Sequence, residues 1–149
     1  MKKPKYDYLK YWRLVRYYVK AKHNLSFSEL DMILFLYSEG YFSKYTFEDF
    51  DGVLSWDKYR FKKMLEAGWI IPFRKAEHRS KALFELSQKS ILLCQYVYEK
   101  LNGSELPTSS AHNPLFKKNV KFSDKTHRNM MLKMNAEIKQ RRRPSPEQE

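Results

Sequence analysis

The sequence predicts a mainly α-helical fold with one small β-hairpin (α+β), followed by a basic C-terminal tail. Apolar residues recur at helical spacing in several separate segments of the 149-residue chain. One segment, residues 69–86, instead has the pattern of two short strands around a polar loop. With 42% hydrophobic residues, a chain of this length can bury the core of a single domain.

Composition narrows the class of protein. The chain has 29 Lys and Arg residues against 17 Asp and Glu residues, a net charge of +12 that indicates an anionic partner. Cys94 is the single cysteine, which excludes an intramolecular disulfide and suits a reducing compartment. No uncharged apolar stretch approaches the roughly 20 residues that span a bilayer. We therefore expect no membrane partner and a cytoplasmic location.

The charge is segregated along the chain. Residues 1–23 hold eight cations and one acid, whereas residues 24–57 hold seven acids and one cation. The short blocks 58–63 and 74–81 carry four cations each, and the chain after Gly103 is basic again. A surface that is merely solvated usually intersperses its signs, so this segregation indicates a binding face.

Two helices are predicted at the N-terminal end. Residues 6–22 carry an aromatic and apolar stripe at helical spacing, which we expect to pack on the rest of the domain. A basic helix of this kind can also lie on an anionic membrane, an alternative we consider weaker. Ser26 and Glu29 form an S-x-x-E capping box that opens a second, nearly all-apolar helix ending near Gly40.

The middle of the chain has the pattern of a helix-turn-helix. Thr46 is expected to cap a short helix, and after a tight turn Ser55 is expected to cap a second helix that ends at Gly68. The second helix combines one apolar face with an opposite face of aromatic and cationic side chains. That face holds Trp56, Tyr59, Arg60 and Lys63, with Lys62 beside them.

A hairpin and a long helix follow. Pro72 predicts an edge or bulged first strand, because proline cannot donate to the ladder. The hairpin tip carries four cations, Arg74, Lys75, Arg79 and Lys81. A closing helix spans residues 87–101. We thus expect a domain over residues 1–103, a linker over 104–122 and a partly helical basic tail over 123–149.

Three short sequences resemble those of a known family. They are Leu25-Ser26 before a helix, Leu-Glu-Ala-Gly-Trp-Ile at 65–70, and Leu-Ser-Gln-Lys-Ser at 86–90. Over about residues 6–102 the chain resembles a winged helix-turn-helix domain, in particular the multiple-antibiotic-resistance-regulator (MarR-like) family. Ser90 stands where that family usually has glycine, and Glu77 and Arg79 stand near its Asp-x-Arg wing sequence.

The resemblance implies a homodimeric transcription regulator that binds double-stranded DNA. A recognition helix at about 56–67 would enter the major groove, and a wing at 74–81 would contact the backbone or minor groove. Arg60 would read a guanine edge, while Trp56 and Tyr59 would touch a thymine methyl or the sugar-phosphate wall. The remaining DNA-binding residues would hold phosphates: Lys58, Lys62, Lys63, Arg74, Lys75, Arg79 and Lys81.

Other functions are less well supported by the residues. The chain has no phosphate-binding glycine loop and no H-E-x-x-H or C-x-x-C sequence, and its four histidines are far apart. We therefore expect no enzyme activity, no metal and no cofactor. An assembly or architectural protein, for example of a phage, stays open as the alternative. It would use the winged helix and basic tail as docking surfaces.

Overall fold

The structure is a computed structural model, and it describes residues 5–49 and 57–142. Within them the chain is mainly helical and has one antiparallel hairpin, which confirms the predicted fold class. The elements in chain order are α1 (Tyr8–His23), α2 (Phe27–Glu39), α3 (Lys44–Glu48), α4 (Lys58–Glu66), β1 (Ile70–Arg74), β2 (Leu83–Leu86), α5 (Gln88–Leu101), a 3-10 turn (Pro114–Phe116) and α6 (Phe122–Arg142).

Internal contacts divide the chain into two compact units. One unit consists of residues 26–96, and the other combines residues 1–25 with residues 97–149. This division differs from the expected sequence of domain, linker and tail, because the N-terminal helix belongs with the C-terminal segment. The units are called the hairpin unit and the terminal unit below.

In the hairpin unit, α2 supplies a buried core. Ser26 caps this helix as predicted, its hydroxyl accepting a hydrogen bond from the amide of Glu29 at 3.1 Å. Leu30, Met32 and Ile33 are each at most 1% exposed, as expected for a helix that is apolar on nearly all sides. The helix packs against β2, and α4 packs against both β1 and α3.

The hairpin has the irregularity that proline predicts. Strand β1 pairs antiparallel with β2, from Ile70 opposite Leu86 to Pro72 opposite Phe84, and the register shifts after Pro72. Phe42 forms an isolated bridge with Phe84 on the other side of β2, so β1 is an edge strand. The expectation of an edge or bulged strand is confirmed.

Two predicted helix starts are wrong. Thr46 lies inside α3 rather than capping it, because the chain leaves the bridge at Phe42 and begins its first turn immediately afterwards. Helix α4 begins at Lys58 with Asp57 as its cap, whereas we expected Ser55. The Asp57 carboxylate accepts hydrogen bonds from the amides of Tyr59 and Arg60, and a carboxylate also suits the positive end of a helix.

The terminal unit buries the aromatic stripe of α1. Tyr11, Val15 and Val19 are fully buried, and α1 packs against α6 and the 3-10 turn. From α6, Met131 and Met134 are also fully buried. The predicted amphipathic tail helix is therefore confirmed. It is stabilised by contacts within its own chain, since an isolated helix of this kind would be marginal.

The segment expected to be a linker is packed. Leu106, Asn113 and Leu115 are at most 2% exposed. Asn135 of α6 binds both backbone groups of Leu106: its Oδ1 accepts from the amide at 3.0 Å and its Nδ2 donates to the carbonyl at 2.9 Å. Leu106 is buried away from water, and these bonds satisfy its backbone amide and carbonyl, which would otherwise lack hydrogen-bond partners. The composition of residues 104–122 therefore misled the prediction.

Cys94 is buried in the hairpin unit. Its Sγ lies 3.9 Å from the carbonyl oxygen of Ile33, and its side chain is fully buried. Burial raises the pKa of the Cys94 thiol from an ordinary 9.0 to about 11, because the thiolate would lose its hydration.

Cys94 should therefore stabilise the fold in a pH-dependent way. Its contribution is fully present below pH 9 and is lost as pH rises toward 11, because the unfolded thiol ionises first. We expect the difference in unfolding free energy between wild type and Cys94→Ala to be constant below pH 8. It should fall by at most about 3 kcal/mol by pH 11. Urea denaturation across this range measures it, and a difference that stays constant to pH 11 would contradict the assignment.

Candidate nucleic-acid interface

Helix α4 is anchored to the hairpin unit through its apolar face. Phe61 and Met64 are at most 4% exposed, and the Phe61 ring packs edge-to-face on Phe84 of β2 with centroids 4.9 Å apart. This packing orients the opposite face of the helix toward solvent. The outward side chains follow one another at helical spacing: Lys58, Tyr59, Lys62 and Glu66.

Tyr59 stands at the centre of this outward face. It is 72% exposed, and the Lys58 ammonium lies 5.4 Å from its ring centroid. Lys62 approaches Glu66 at 3.9 Å, but both side chains are more than two-thirds exposed, so this ion pair is weak. The face therefore offers an aromatic ring between two lysines that a polyanion can reach.

Arg60 and Lys63 lie on a different side of α4, toward the start of α2. The Lys63 ammonium forms an ion pair with Glu29 at 2.8 Å, and the Glu29 side chain is only 5% exposed. The Arg60 Nη1 lies 3.4 Å from the Ser26 hydroxyl, and Arg60 is partly buried. Both residues thus tie α4 to the cap of α2.

These contacts change two sequence-based assignments. The Glu29 carboxylate was expected to reach back to the Ser26 amide in a capping box, but its oxygen binds Lys63 instead. Lys63 was expected to hold a DNA phosphate. Lys63 also has a positioning part, because its departure would leave a buried carboxylate without its cation, while its own side chain stays 64% exposed.

The hairpin tip holds its four predicted cations in exposed positions. Arg74 donates from Nη2 to the carbonyl of Lys81 at 3.2 Å, which links the two strands of the hairpin. Glu77 and Ser80 exchange two backbone hydrogen bonds and enclose a two-residue turn made by His78 and Arg79. Arg79 and Lys75 therefore project from a backbone that is closed by hydrogen bonds.

Sequence reasoning missed Lys44 and Tyr45 at the start of α3. Lys44 lines a cleft of about 300 Å³ together with Lys58, Tyr59 and Lys62 of α4. It also lines a second cleft of about 450 Å³, beside the hairpin tip, with Arg79 and Lys81. Tyr45 is 54% exposed, and the Lys81 ammonium lies 4.3 Å from its ring centroid.

Lys44 was missed because it is the single cation of an acidic stretch, and charge averaged along the sequence hides it. The available signal was its place at the start of the first helix of a helix-turn-helix pattern. The acid Glu48 lines the same region, in the larger cleft and next to Lys58 and Tyr59. The exposed cations near the two clefts nevertheless outnumber it: Lys44, Lys58, Lys62, Arg79 and Lys81.

Trp56, the remaining predicted DNA-binding residue, lies outside the described residues. Among residues 5–49 and 57–142, no group of three or more His, Cys, Asp or Glu side chains is arranged to hold a metal ion. Within the same two ranges, every helix is too short or too polar to cross a membrane.

The ion pair between Lys63 and Glu29 should contribute to stability. We expect Lys63→Ala to lower the free energy of unfolding by about 1–2 kcal/mol, because it leaves a buried carboxylate unpaired. Lys62→Ala removes an exposed lysine from the same helix and should change it by less than about 0.5 kcal/mol. Adding Glu29→Gln to the Lys63→Ala variant should restore part of the loss. Equal denaturation curves for the two single variants would show that the pair is not stabilising.

Comparisons of this chain with protein-family models, with curated proteins and with solved structures give no match. The assignment of the interface therefore depends on the geometry of the hairpin unit: the outward face of α4, the cationic hairpin tip, and Lys44 beside both.

Proposed function

We propose that this chain binds double-stranded DNA through the hairpin unit and acts as a transcription regulator. Helix α4 would enter the major groove with Lys58, Tyr59 and Lys62, and the hairpin tip would follow the adjacent backbone or minor groove. The MarR-like resemblance of the sequence supports the same arrangement.

One observation carries the proposal: Lys44 lines the cleft beside α4 and also the cleft beside the hairpin tip. It therefore connects two groups of cations that are separate in the sequence. In a DNA duplex the backbone phosphates border each groove. A continuous cationic surface can therefore contact the groove and its flanking phosphates together.

The side chains divide into those that position the protein and those that read bases. Lysines on α4 and cations of the hairpin would neutralise phosphates without selecting a sequence. Tyr59 would contact a thymine methyl group or the sugar-phosphate wall. Arg60 stays the proposed guanine contact, because it is only partly buried next to the outward Tyr59, and its contact with Ser26 uses one nitrogen of the guanidinium.

The regulator is proposed to act as a homodimer, so that two copies of α4 reach half-sites about one DNA turn apart. The apolar stripe of α1 is buried inside the terminal unit. Large apolar side chains that stay exposed elsewhere include Leu9, Leu92 and Phe122. Sedimentation equilibrium of the full chain, with and without DNA, measures the stoichiometry.

Duplex binding should depend steeply on salt. With about six phosphate contacts, affinity for a duplex should fall about 10³-fold between 50 and 200 mM salt. Lys62→Ala should weaken all duplexes alike and reduce the slope of log K against log salt by about one. Fluorescence anisotropy with labelled duplexes measures both quantities.

Lys133→Ala is the matched control, because Lys133 is an exposed lysine of α6 in the terminal unit. It should leave affinity and slope unchanged. Absence of duplex binding at 50 mM salt would refute the proposed function. An equal loss in both variants would show that net charge, rather than the α4 face, drives the binding.

Sequence preference should depend on Arg60 and Tyr59. A duplex selected from a random library should lose about 1–3 kcal/mol of discrimination at a guanine position when Arg60 is replaced by alanine. Tyr59→Ala should instead relax preference at a thymine. Competition with single-base variants of the selected site measures each effect. If neither substitution changes the preference, α4 does not read the major groove.

The assembly-protein alternative has one observation in its favour. Tyr41 and Phe73 stack with ring centroids 4.0 Å apart while about half of each side chain stays exposed. Exposed aromatic pairs are frequent at protein–protein contacts. A chain that binds no duplex at 50 mM salt but enters a defined protein complex would favour this function.

A further inference from the structure

We propose that the cleft between α3 and the hairpin tip binds a nucleoside phosphate. This ligand goes beyond the duplex of the proposed function, although some side chains serve both. The cleft lies entirely within the hairpin unit and has a volume of about 450 Å³, inside the range of 300–1,000 Å³ typical of small-molecule sites. It is lined by Lys44, Tyr45, His78, Arg79, Ser80 and Lys81, among others.

The charges of the cleft suit a phosphate group. Three cations, Lys44, Arg79 and Lys81, line it against one acid, Glu48. Arg79 can donate two parallel hydrogen bonds to phosphate oxygens, and the lysines add point charge. The Ser80 hydroxyl lies in the same wall and can donate one more hydrogen bond.

The aromatic wall suits a base. Tyr45 is 54% exposed, and its ring already holds the Lys81 ammonium 4.3 Å from its centroid. Lys81 thus covers one face of the ring through a cation–π contact, while about half of the side chain stays exposed to solvent. A base can stack on the ring while the flexible Lys81 side chain turns to the phosphate.

The backbone of the hairpin turn has an unfavourable conformation at His78, which lines the cleft. His78 is the first central residue of the turn and has a φ of +48°. Turns with a positive φ at this position usually carry glycine there, because a β-carbon is unfavourable. A histidine in this position places an imidazole on the cleft at the expense of backbone strain, and such strain is often found at binding sites.

Two sources can supply the ligand: a free nucleotide, or one nucleotide of a nucleic-acid strand. Both present a base and a phosphate to Tyr45 and Arg79. The cleft is not the surface that reads base pairs, because the outward face of α4 lines a different cleft. Binding here can therefore be tested separately from duplex binding.

Isothermal titration calorimetry of the full chain at 50 mM salt tests the proposal. The ligands are a purine nucleoside monophosphate, the same nucleoside without phosphate, and inorganic phosphate. We expect the nucleoside monophosphate to bind more tightly than the nucleoside alone or inorganic phosphate alone. Arg79→Ala should weaken it about five- to tenfold and Tyr45→Ala about fivefold or more. In backbone amide NMR spectra, shifts should be confined to residues 44–48 and 76–82.

Lys62→Ala and Lys133→Ala are the controls, because both lysines are exposed and lie outside the cleft. Neither should weaken the monophosphate, although Lys62→Ala should weaken a duplex. Duplex binding without monophosphate binding would overturn this proposal and leave the proposed function intact. Monophosphate binding without duplex binding would support the cleft as a nucleotide site and refute the proposed function. Equal affinity for inorganic phosphate, or no effect of Tyr45→Ala, would also overturn it.

A short single-stranded oligonucleotide distinguishes the two sources. If it binds more tightly than the monophosphate and depends equally on Arg79 and Tyr45, a strand of nucleic acid is the source. If the monophosphate binds more tightly, the free nucleotide is the source. Binding of the oligonucleotide that is insensitive to both substitutions would overturn the site.

Discussion

The burial of the Glu29 carboxylate constrains the whole hairpin unit. A carboxylate with 5% exposure is costly to bury without a partner, and the ammonium of Lys63 at 2.8 Å supplies one. Lys63 belongs to α4, so this ion pair and the buried Phe61 together fix the rotation of that helix about its axis. Lys58, Tyr59 and Lys62 are outward for this reason. The cationic surface therefore depends on a contact that pairs one lysine of α4 with an acid, although the Lys63 side chain stays 64% exposed.

In the terminal unit too, some cations are held in ion pairs within the unit. Lys139 and Arg142 both approach Glu105, at 3.7 and 3.6 Å, and Arg142 also donates to the carbonyl of Gly103. Lys10 pairs with Glu137. These contacts join segments that are distant in the sequence. The basic C-terminal region thus uses part of its charge to hold the unit together, and its charge alone is poor evidence of a nucleic-acid contact.

Much of the fold could be predicted because it depends on local patterns. Helical spacing predicted α1, α2 and α5, and Pro72 predicted the bulged edge of the hairpin. Features that depend on distant partners could not be predicted. Asn135 binds Leu106 across 29 residues, and Lys63 binds Glu29 across 34. The helical or strand spacing of apolar residues in a sequence does not indicate which distant polar residues will bind each other. For this reason the packed segment was taken for a linker, and the positioning part of Lys63 was not predicted.

Lys44 shows why averaged charge is misleading at a binding surface. The stretch of residues 24–57 is strongly acidic in sequence, yet its Lys44 lines two clefts together with cations of α4 and of the hairpin tip. Two of its acids are used internally, because Glu29 binds Lys63 and Asp57 caps α4. The charge of Glu29 is thus neutralised by Lys63, and the Asp57 carboxylate accepts hydrogen bonds from backbone amides. The single lysine of the stretch remains exposed and lines both the cleft beside α4 and the cleft beside the hairpin tip.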